Sequence, residues 1–383
     1  MKVGILGTHC TKFGELWNKS LEDLLAEAQL GAICSAKINP QEIDEVFVSN
    51  MCSSMTVGQQ NLGALATEIL NLKVPATTIE GACASGGLAL RAGVMSILSG
   101  LSKIVMVVGA EKMTDVLPTV ATSSLAQAAS EESEQIHGAT FPGLMAMVTR
   151  AYSNQYNIST EQLASVSVKN HEHGYSNNLA HVCKKITIDD VEKSPMIADP
   201  LRLLHCSPVS DGAAAIILCS EDVAKALGKT TYLIGSGQAS DTLRLQRRQS
   251  ITEFRSTQIA AQTAMKMARV SIMDIDIVEV HDAFSAVELI SLEDLGFFPH
   301  GTAGIPTYNG ETRHGGKLPV NLSGGLKSKG HPVGATGISQ AIEIINQLEG
   351  TSKHNQANNA TIGMSHNLGG TGSTAAVHIF AKE

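Results

Sequence analysis

With 383 residues, 43% of them hydrophobic and 17% charged, the chain is large enough to bury one extensive core or two ordinary ones. A net charge of −8 and the lack of a dense basic stretch argue against a nucleic-acid partner, the short Arg247-Arg248 pair notwithstanding. The start, Met1-Lys2-Val3-Gly4-Ile5-Leu6-Gly7, has no signal-peptide core, and no apolar run is expected to reach membrane-spanning length, so a cytoplasmic location without a membrane partner is the expectation.

In chain order, an Ala-rich helical segment, Leu21 to Ala36, precedes the alternating run Ile38 to Asn50. An extended run, Val74 to Ile79, then meets the turn Glu80-Gly81-Ala82-Cys83-Ala84-Ser85-Gly86-Gly87, and a helix is predicted from Leu88 to Leu98. Lys103 to Glu111 reads as a strand. From about Val116 to Asp199 the texture changes to Ser, Asn, Glu and His, with Phe141-Pro142-Gly143 and Gly174-Tyr175-Ser176-Asn177-Asn178, the composition of a lid or ligand-contacting insertion. Beyond it, Asp211 to Cys219 and Tyr232 to Ile234 are strand-like, Gln258 to Ala268 is helical, and Ile277 to Val280 and Ala360 to Met364 are extended.

Several of these segments occur twice. Ile38 to Asn50 matches Val270 to Asp282, and each follows an Ala-rich helix; Lys103 to Glu111 resembles Asn359 to Asn367, and Asp211 to Cys219 resembles Gly372 to Phe380. Two α/β halves of one topology, each with a helix-covered sheet, account for the order. Such a pairing buries the apolar helix after Ser85 from both sides.

Cys83 stands at a strand-to-helix turn, where the positive end of the helix dipole favours thiolate and hence nucleophilic attack. Three histidines end strands or open glycine-rich turns: His281 in His281-Asp282-Ala283-Phe284, His331 in Gly330-His331-Pro332-Val333-Gly334, and His366 in His366-Asn367-Leu368-Gly369-Gly370. Cys83 and His331 occupy equivalent places in the two halves, so a pseudo-twofold axis brings thiol and imidazole together as nucleophile and base. Backbone N–H groups around Cys83 and Leu368 are the expected donors to an oxyanion.

Competing motifs are weaker. Gly235-Ser236-Gly237 lacks the third glycine of a dinucleotide fingerprint, since Ser240 stands there. His171-Glu172-His173 lacks further metal ligands at a recognised spacing and reads as a solvated part of the insertion. The seven cysteines, Cys10, Cys34, Cys52, Cys83, Cys183, Cys206 and Cys219, contain no C-x-x-C pair and are expected as reduced thiols. Arg244, Arg247 and Arg248 form either a surface charge group or a contact to a phosphate.

Taken together, Cys83-Ala84-Ser85, His281 to Phe284, Gly330 to Pro332 and His366 to Gly370 resemble, in order, the four active-site loops of the thiolase superfamily. The match is nearest its sterol-carrier-protein-type and archaeal acetyl-CoA acetyltransferase branch. The resemblance implies duplicated βαβαβαββ halves in a five-layered αβαβα fold with an inserted loop domain: residues 1–115 and 200–228 as the first half, 116–199 as the loop domain, and 229–383 as the second half. It implies an acyltransferase of lipid metabolism that works through a cysteine thioester, by Claisen condensation of acyl-CoA or thiolysis of 3-oxoacyl-CoA. Coenzyme A is then a substrate, and no permanent cofactor or metal is implied.

By the same resemblance, Cys83 takes the acyl group, His331 accepts its proton, His281 holds a water at the oxyanion site, and the N–H groups of Cys83 and Leu368 serve the acyl-enzyme. Ser207 and Phe284 would line the pantetheine arm; for Arg244, Arg247 and Arg248, most simply a surface charge group, the functional alternative is contact with the 3′-phosphate of coenzyme A, which arginine suits. The second cysteine used by many thiolases is replaced here by His366, which is therefore the expected carbon-acid base, with His281 in reserve. A homodimer or homotetramer is implied, with Met51 to Leu65 near the contact, as is a small OB-fold and zinc-ribbon partner that binds coenzyme A. The alternatives are an acyltransferase of this fold acting on another nucleophile, and a coenzyme A-binding subunit of a larger complex.

Overall fold

The computed structural model describes residues 2–383. The first repeat runs β1 (Val3–Cys10), α1 (Leu21–Ala36), β2 (Glu45–Ser49), α2 (Ser53–Thr56), α3 (Leu62–Ile69), β3 (Ala76–Ile79), α4 (Ser85–Ser99) and β4 (Ile104–Glu111). Next come α5 (Pro118–Ala126), α6 (Phe141–Tyr156), α7 (Thr160–Tyr175), α8 (Ile188–Lys193) and a small ladder of β5 (Met196–Ala198) with β6 (Leu201–Arg202). β7 (Gly212–Ser220) and α9 (Glu221–Ala226) then return to the first sheet. The second repeat holds β8 (Thr231–Ser240), α10 (Arg255–Ala268), β9 (Ile277–Glu279), α11 (Ser285–Leu295), α12 (Gly304–Tyr308), α13 (Gly325–Lys329), α14 (Val333–Glu349), β10 (Ile362–Gly369) and β11 (Thr374–Lys382).

The strand order is β3-β2-β4-β7-β1-β8-β11-β10-β9. Within each repeat the duplication is exact in sense: β2 runs parallel to β4 and β4 antiparallel to β7, while β9 runs parallel to β10 and β10 antiparallel to β11. The copies share even their local chemistry. Asp44 Oδ2 accepts the N–H groups of Lys103 and Ile104 at 2.8 and 2.9 Å, and Asp276 Oδ2 accepts those of Thr361 and Ile362 at 2.8 and 3.0 Å. Among the described residues the repeats meet in the sheet through two residue pairs, Val3 with Leu233 and Gly4 with Tyr232.

What joins them more firmly is the middle layer. α4 and α14 pack on each other and on strands of both repeats, while α1 covers β1 and β7 from outside and α10 covers β8 and β11, which completes the αβαβα order. All eight residues of β4 are consequently buried. The window Ala82–Ser99 has a mean hydropathy of 1.3 over 18 residues, so one segment does reach the length and apolarity of a membrane span, contrary to expectation. Its partners are α14 and strands of both repeats, and 67% of it is buried in protein. The glycines of Gly235-Ser236-Gly237 serve packing: a Cβ at Gly237 would lie 1.9 Å from Ala260 O and one at Gly235 2.4 Å from Ala264 O, so α10 rests directly on β8.

Between β4 and β7 the chain is mostly helical rather than loop-like. Ser159 with Gln162 and Thr187 with Asp190 form capping boxes at the starts of α7 and α8, which accounts for part of the segment's polar composition. His171 and His173 are not solvated either. Both are buried in α7, His171 Nδ1 lies 3.1 Å from Lys184 O, His173 Nδ1 lies 3.0 Å from Asn321 O, and His173 Nε2 accepts the His314 N–H at 3.0 Å. Burial pushes them down to about 4 and about 3, so they act as neutral hydrogen-bonding groups.

Candidate active site

The turn that carries Cys83 is held from within. Ala82 has φ +52°, a left-handed conformation rare for a residue with a side chain, and its N–H donates to Glu80 Oε1 at 2.6 Å. Ser85 Oγ accepts the Gly81 N–H at 3.0 Å and donates to Ala82 O at 2.6 Å. The sulfur is thereby fixed at the N-terminal end of α4, in a small apolar cluster with Cys52, Met113 and Val333.

Glycines let the second turn come close. A Cβ at Gly86 would lie 2.9 Å from Gly337 N, one at Gly337 would lie 2.4 Å from Gly87 N, and one at Gly109 would lie 2.3 Å from Gly334 O. Thus α4, α14 and β4 touch backbone to backbone. Glu111, at the end of β4, clamps the junction: its carboxylate accepts the N–H of Met51 at 3.1 Å, of Cys52 at 2.8 Å and of Gly334 at 2.8 Å, and the Asn50 amide at 2.6 Å. Burial pushes Glu111 up to about 7 despite these donors.

The result is a meeting of three side chains. The Cys83 sulfur and one ring nitrogen each of His281 and His331 lie within 4.8 Å of one another, and all three residues are buried. The two imidazoles are edge to face, 5.1 Å apart at an angle of 80°. Thr336 Oγ1 donates to Pro332 O at 3.0 Å, so its contact of 2.7 Å with His331 Nδ1 must use a proton on that nitrogen. This places the free lone pair of His331 on Nε2, a buried atom that has no hydrogen-bond partner among the described residues.

Asn367 orients the other side. Its Oδ1 accepts the Gly87 N–H at 3.0 Å and its Nδ2 donates to Cys83 O at 2.9 Å, which fixes the amide. Nδ2 also faces His281 Nδ1 at 3.5 Å, an arrangement that favours the proton of His281 on Nε2. Burial holds His281 well below its ordinary value and His331 at about 3, so both rings are neutral near pH 7.

The sulfur differs from the expectation of a ready thiolate. Burial pushes Cys83 up to about 12, against the lowering effect of backbone N–H groups from Gly370 and from Cys83 itself, with Glu111 and Glu80 raising it further. Desolvation outweighs the end of the helix, and the resting group is a thiol. The last loop rests on the turn that carries Cys83, since a Cβ at Gly369 would lie 2.4 Å from Gly81 O and 3.3 Å from Ala84 N, while the Leu368 side chain lies in the core.

His366 is turned away from this centre. Along β10 successive side chains alternate between faces, so Asn367 faces α4 while His366 lies beneath α10, with Thr257 Oγ1 2.9 Å from its Nε2. Its Nδ1 accepts the His281 N–H at 3.5 Å, and burial pushes the ring down to about 3. Both nitrogens are occupied, which removes the lone pair a carbon-acid base needs.

Ser207 and Phe284 lie on adjoining segments. The Ser207 N–H donates to Ala283 O at 2.9 Å, Cys206 pairs with Phe284 as a β-bridge, and Phe284 packs on Phe141 of α6 with ring centroids 5.9 Å apart. The three arginines separate. Arg244 is bonded to Glu132 at 2.8 Å and to Ser130 Oγ at 3.2 Å, Arg248 is bonded to Thr371, and Arg247 is exposed. Sequence reasoning passed over Asn367, Gly370, Thr336 and Glu111. The first two lay inside the recognised loop, where strand alternation distinguishes Asn367 from His366. Thr336 and Glu111 become visible only through their contacts.

Comparisons with known proteins agree with this geometry. The model of the thiolase N-terminal domain matches residues 3–222 and that of the thiolase C-terminal domain-like family matches residues 237–382. The chain is 48% identical to an acetyl-CoA acetyltransferase of Methanothermobacter thermautotrophicus over 99% of both chains. Among solved structures it is similar to an Ltp2–ChsH2(DUF35) aldolase, with a TM-score of 0.86 and 23% identity over 100% of this chain and 98% of that one. It is also similar to human mitochondrial 3-ketoacyl-CoA thiolase in complex with CoA, with a TM-score of 0.78 and 20% identity over 100% and 98% of the two chains.

Proposed function

The chain belongs to the thiolase family and is a thiolase-type acyltransferase, and from that premise we propose that Cys83 and His331 carry the covalent step while His281 supports the second half-reaction. The observation that carries this reading is the unpartnered Nε2 of His331 beside the buried thiol of Cys83.

In the first half-reaction His331 Nε2 takes the thiol proton as sulfur attacks the thioester carbonyl of an acyl-CoA. The C–S bond to Cys83 forms, negative charge gathers on oxygen, and backbone N–H groups of Cys83 and of the last loop around Leu368 are the donors this reading assigns to it. When the intermediate collapses, the bond to coenzyme A breaks and its sulfur leaves with the proton from His331. The imidazole is neutral again, and the enzyme is acylated.

In the second half-reaction an acyl-CoA loses a proton from the carbon next to its carbonyl, and the resulting carbanion displaces Cys83 from the acyl group. Thiolysis is the reverse. With both nitrogens of His366 engaged, the base for carbon is His331 Nε2, free once coenzyme A has left, and His281 donates Nε2–H to the enolate oxygen. One imidazole then serves both half-reactions.

Coenzyme A enters along Ser207 and Phe284, with Arg247 the member of the arginine trio left free for its 3′-phosphate. Assembly into a homo-oligomer through the region of Met51 to Leu65 is part of the proposal, supported by the exposed Met55 and Val57 in that segment. So is a small coenzyme A-binding partner, supported by the fold shared with a complex that contains a DUF35 component.

Incubation with acetyl-CoA is expected to add one acetyl group to the wild-type chain by intact mass and none to Cys83→Ala; an adduct that survives in Cys83→Ala defeats the assignment. His281→Asn separates the steps. It is expected to leave acetylation of Cys83 within about tenfold while slowing solvent hydrogen exchange at the α-carbon of the second acetyl-CoA by about 10²-fold, the scale of a lost oxyanion donor. Equal losses in both steps would return His281 to a purely structural place. His366→Asn, by contrast, is expected to change the two steps in parallel.

A further inference from the structure

We propose that Arg248 is a positioning residue of acyl transfer, whose guanidinium holds the turn Gly369 to Ser373 against the turn that carries Cys83, where a Cβ at Gly369 would lie 2.4 Å from Gly81 O and 3.3 Å from Ala84 N. The inference deepens the reading above and rests on Cys83 as the nucleophile.

The turn is closed from within by the Gly372 and Ser373 N–H groups, each donating to Gly369 O at 3.1 Å. Gly369, Gly370 and Gly372 leave no side chain to pack at three of its five positions, and Gly370 and Gly372 have φ +58° and +102°, in the left-handed region. Gly370 passes so near the chain at Ala128 that a Cβ would lie 2.9 Å from Ala128 O. Besides Ser256 Oγ, which donates to Gly372 O at 2.8 Å, a turn so poor in side chains takes a grip from outside at Thr371.

Arg248 is that grip. Nη1 donates to Thr371 O, Nη2 donates to Thr371 Oγ1 at 2.9 Å, and Nε donates to Thr242 O at 2.8 Å. Thr371, the residue gripped, is buried and adjoins Gly370. A second restraint comes from the same connection between β8 and α10, where the Asp241 N–H donates to Ser373 O at 2.7 Å. The planar guanidinium can reach the carbonyl, the hydroxyl and the Thr242 carbonyl at once, which an ammonium cannot do in one geometry. These bonds occupy all three guanidinium nitrogens, so the contact with the 3′-phosphate of coenzyme A expected from the sequence has no free fork to use.

The two assignments separate in one experiment. Thiolysis of acetoacetyl-CoA is measured for the wild type, Arg248→Met and Arg248→Lys with coenzyme A and with 3′-dephospho-coenzyme A. The expected result is a fall in kcat of about 10- to 10²-fold in both variants, the lower part of the range for losing an oxyanion donor, with KM for coenzyme A within twofold of wild type. The same fall is expected with the dephosphorylated substrate. Iodoacetamide is expected to alkylate Cys83 more slowly in the variants at a given pH, and added guanidinium ion is expected to restore part of the rate of Arg248→Met.

A raised KM with unchanged kcat, vanishing with 3′-dephospho-coenzyme A, would make Arg248 a phosphate contact and overturn the proposal; unchanged kcat and KM would overturn it as well. Should Arg248→Met fold poorly, Thr371→Val removes only the hydroxyl acceptor: a several-fold loss of kcat at constant KM supports the grip, and wild-type kinetics overturn it. Lack of an acetyl adduct on wild-type Cys83 overturns the underlying reading itself, whereas a normal adduct with unaltered Arg248 variants overturns this inference alone.

Discussion

His331→Asn is expected to slow acetylation of Cys83 by acetyl-CoA by about 10²- to 10⁴-fold at pH 7, the usual contribution of a positioned general base. The loss is large here because the thiol, pushed up to about 12, offers almost no thiolate of its own and depends on Nε2 of His331. Burst-phase mass measurements of the acyl-enzyme check it, and a loss below fivefold would mean that another group removes the proton. The pH dependence has a definite sign. Burial holds His331 at about 3, so the ring remains an unprotonated base as pH falls from 8 to 5, and its share of the rate is lost only on approach to pH 3. Glu111, pushed up to about 7, does titrate in that window. A limb near pH 7 that persists in the residual activity of His331→Asn therefore belongs to Glu111, whereas a limb that disappears with the ring would belong to His331.

Gly337→Ala is expected to lower kcat/KM by about 10²-fold without touching a reacting group, together with a lower melting temperature. The added Cβ would lie 2.2 Å from Asn367 Oδ1 and 2.4 Å from Gly87 N. The first contact is with the amide that orients Cys83 O and His281, and the second is with backbone, which cannot rotate out of the way. Overpacking of this kind costs about 1–3 kcal/mol of stability, and a misplacement of about 1 Å at a reacting centre costs about 10²-fold in rate. The check is kinetic and thermal together: a variant that melts lower yet acetylates Cys83 at the wild-type rate would show that the helix crossing does not set the distance between sulfur and imidazole.

The duplication was the most legible property of the chain. The copies found as Ile38 to Asn50 and Val270 to Asp282 became β2 and β9, and those at Lys103 and Asn359 became β4 and β10, because strand hydrophobicity and turn residues are written locally. The meeting of Cys83 with His331 was legible for the same reason, since equivalent turns in equivalent repeats face one another. What escaped depends on direction and burial. His366 and Asn367 are neighbours in sequence but lie on opposite faces of β10, so a motif read as a unit hides which of them reaches the thiol. The state of Cys83 was misjudged because a helix end is visible in a sequence while the loss of water around the sulfur is not. His171 and His173 looked solvated for the converse reason, since their polar neighbours in sequence gave no sign of the buried carbonyls they meet. Arg248 read as a phosphate ligand because its partner, Thr371, is distant along the chain.

The sparse seam between the two repeats, two residue pairs wide between β1 and β8, has a mechanical consequence. Sulfur and nitrogen ride on separate bodies whose relative placement is governed by the glycine-lined crossing of α4 and α14, so a substitution far from either atom can retune reactivity by sliding one body past the other. Nucleophile strength in this enzyme is thus an adjustable property of an internal joint, open to gradual change while Cys83 and His331 stay the same.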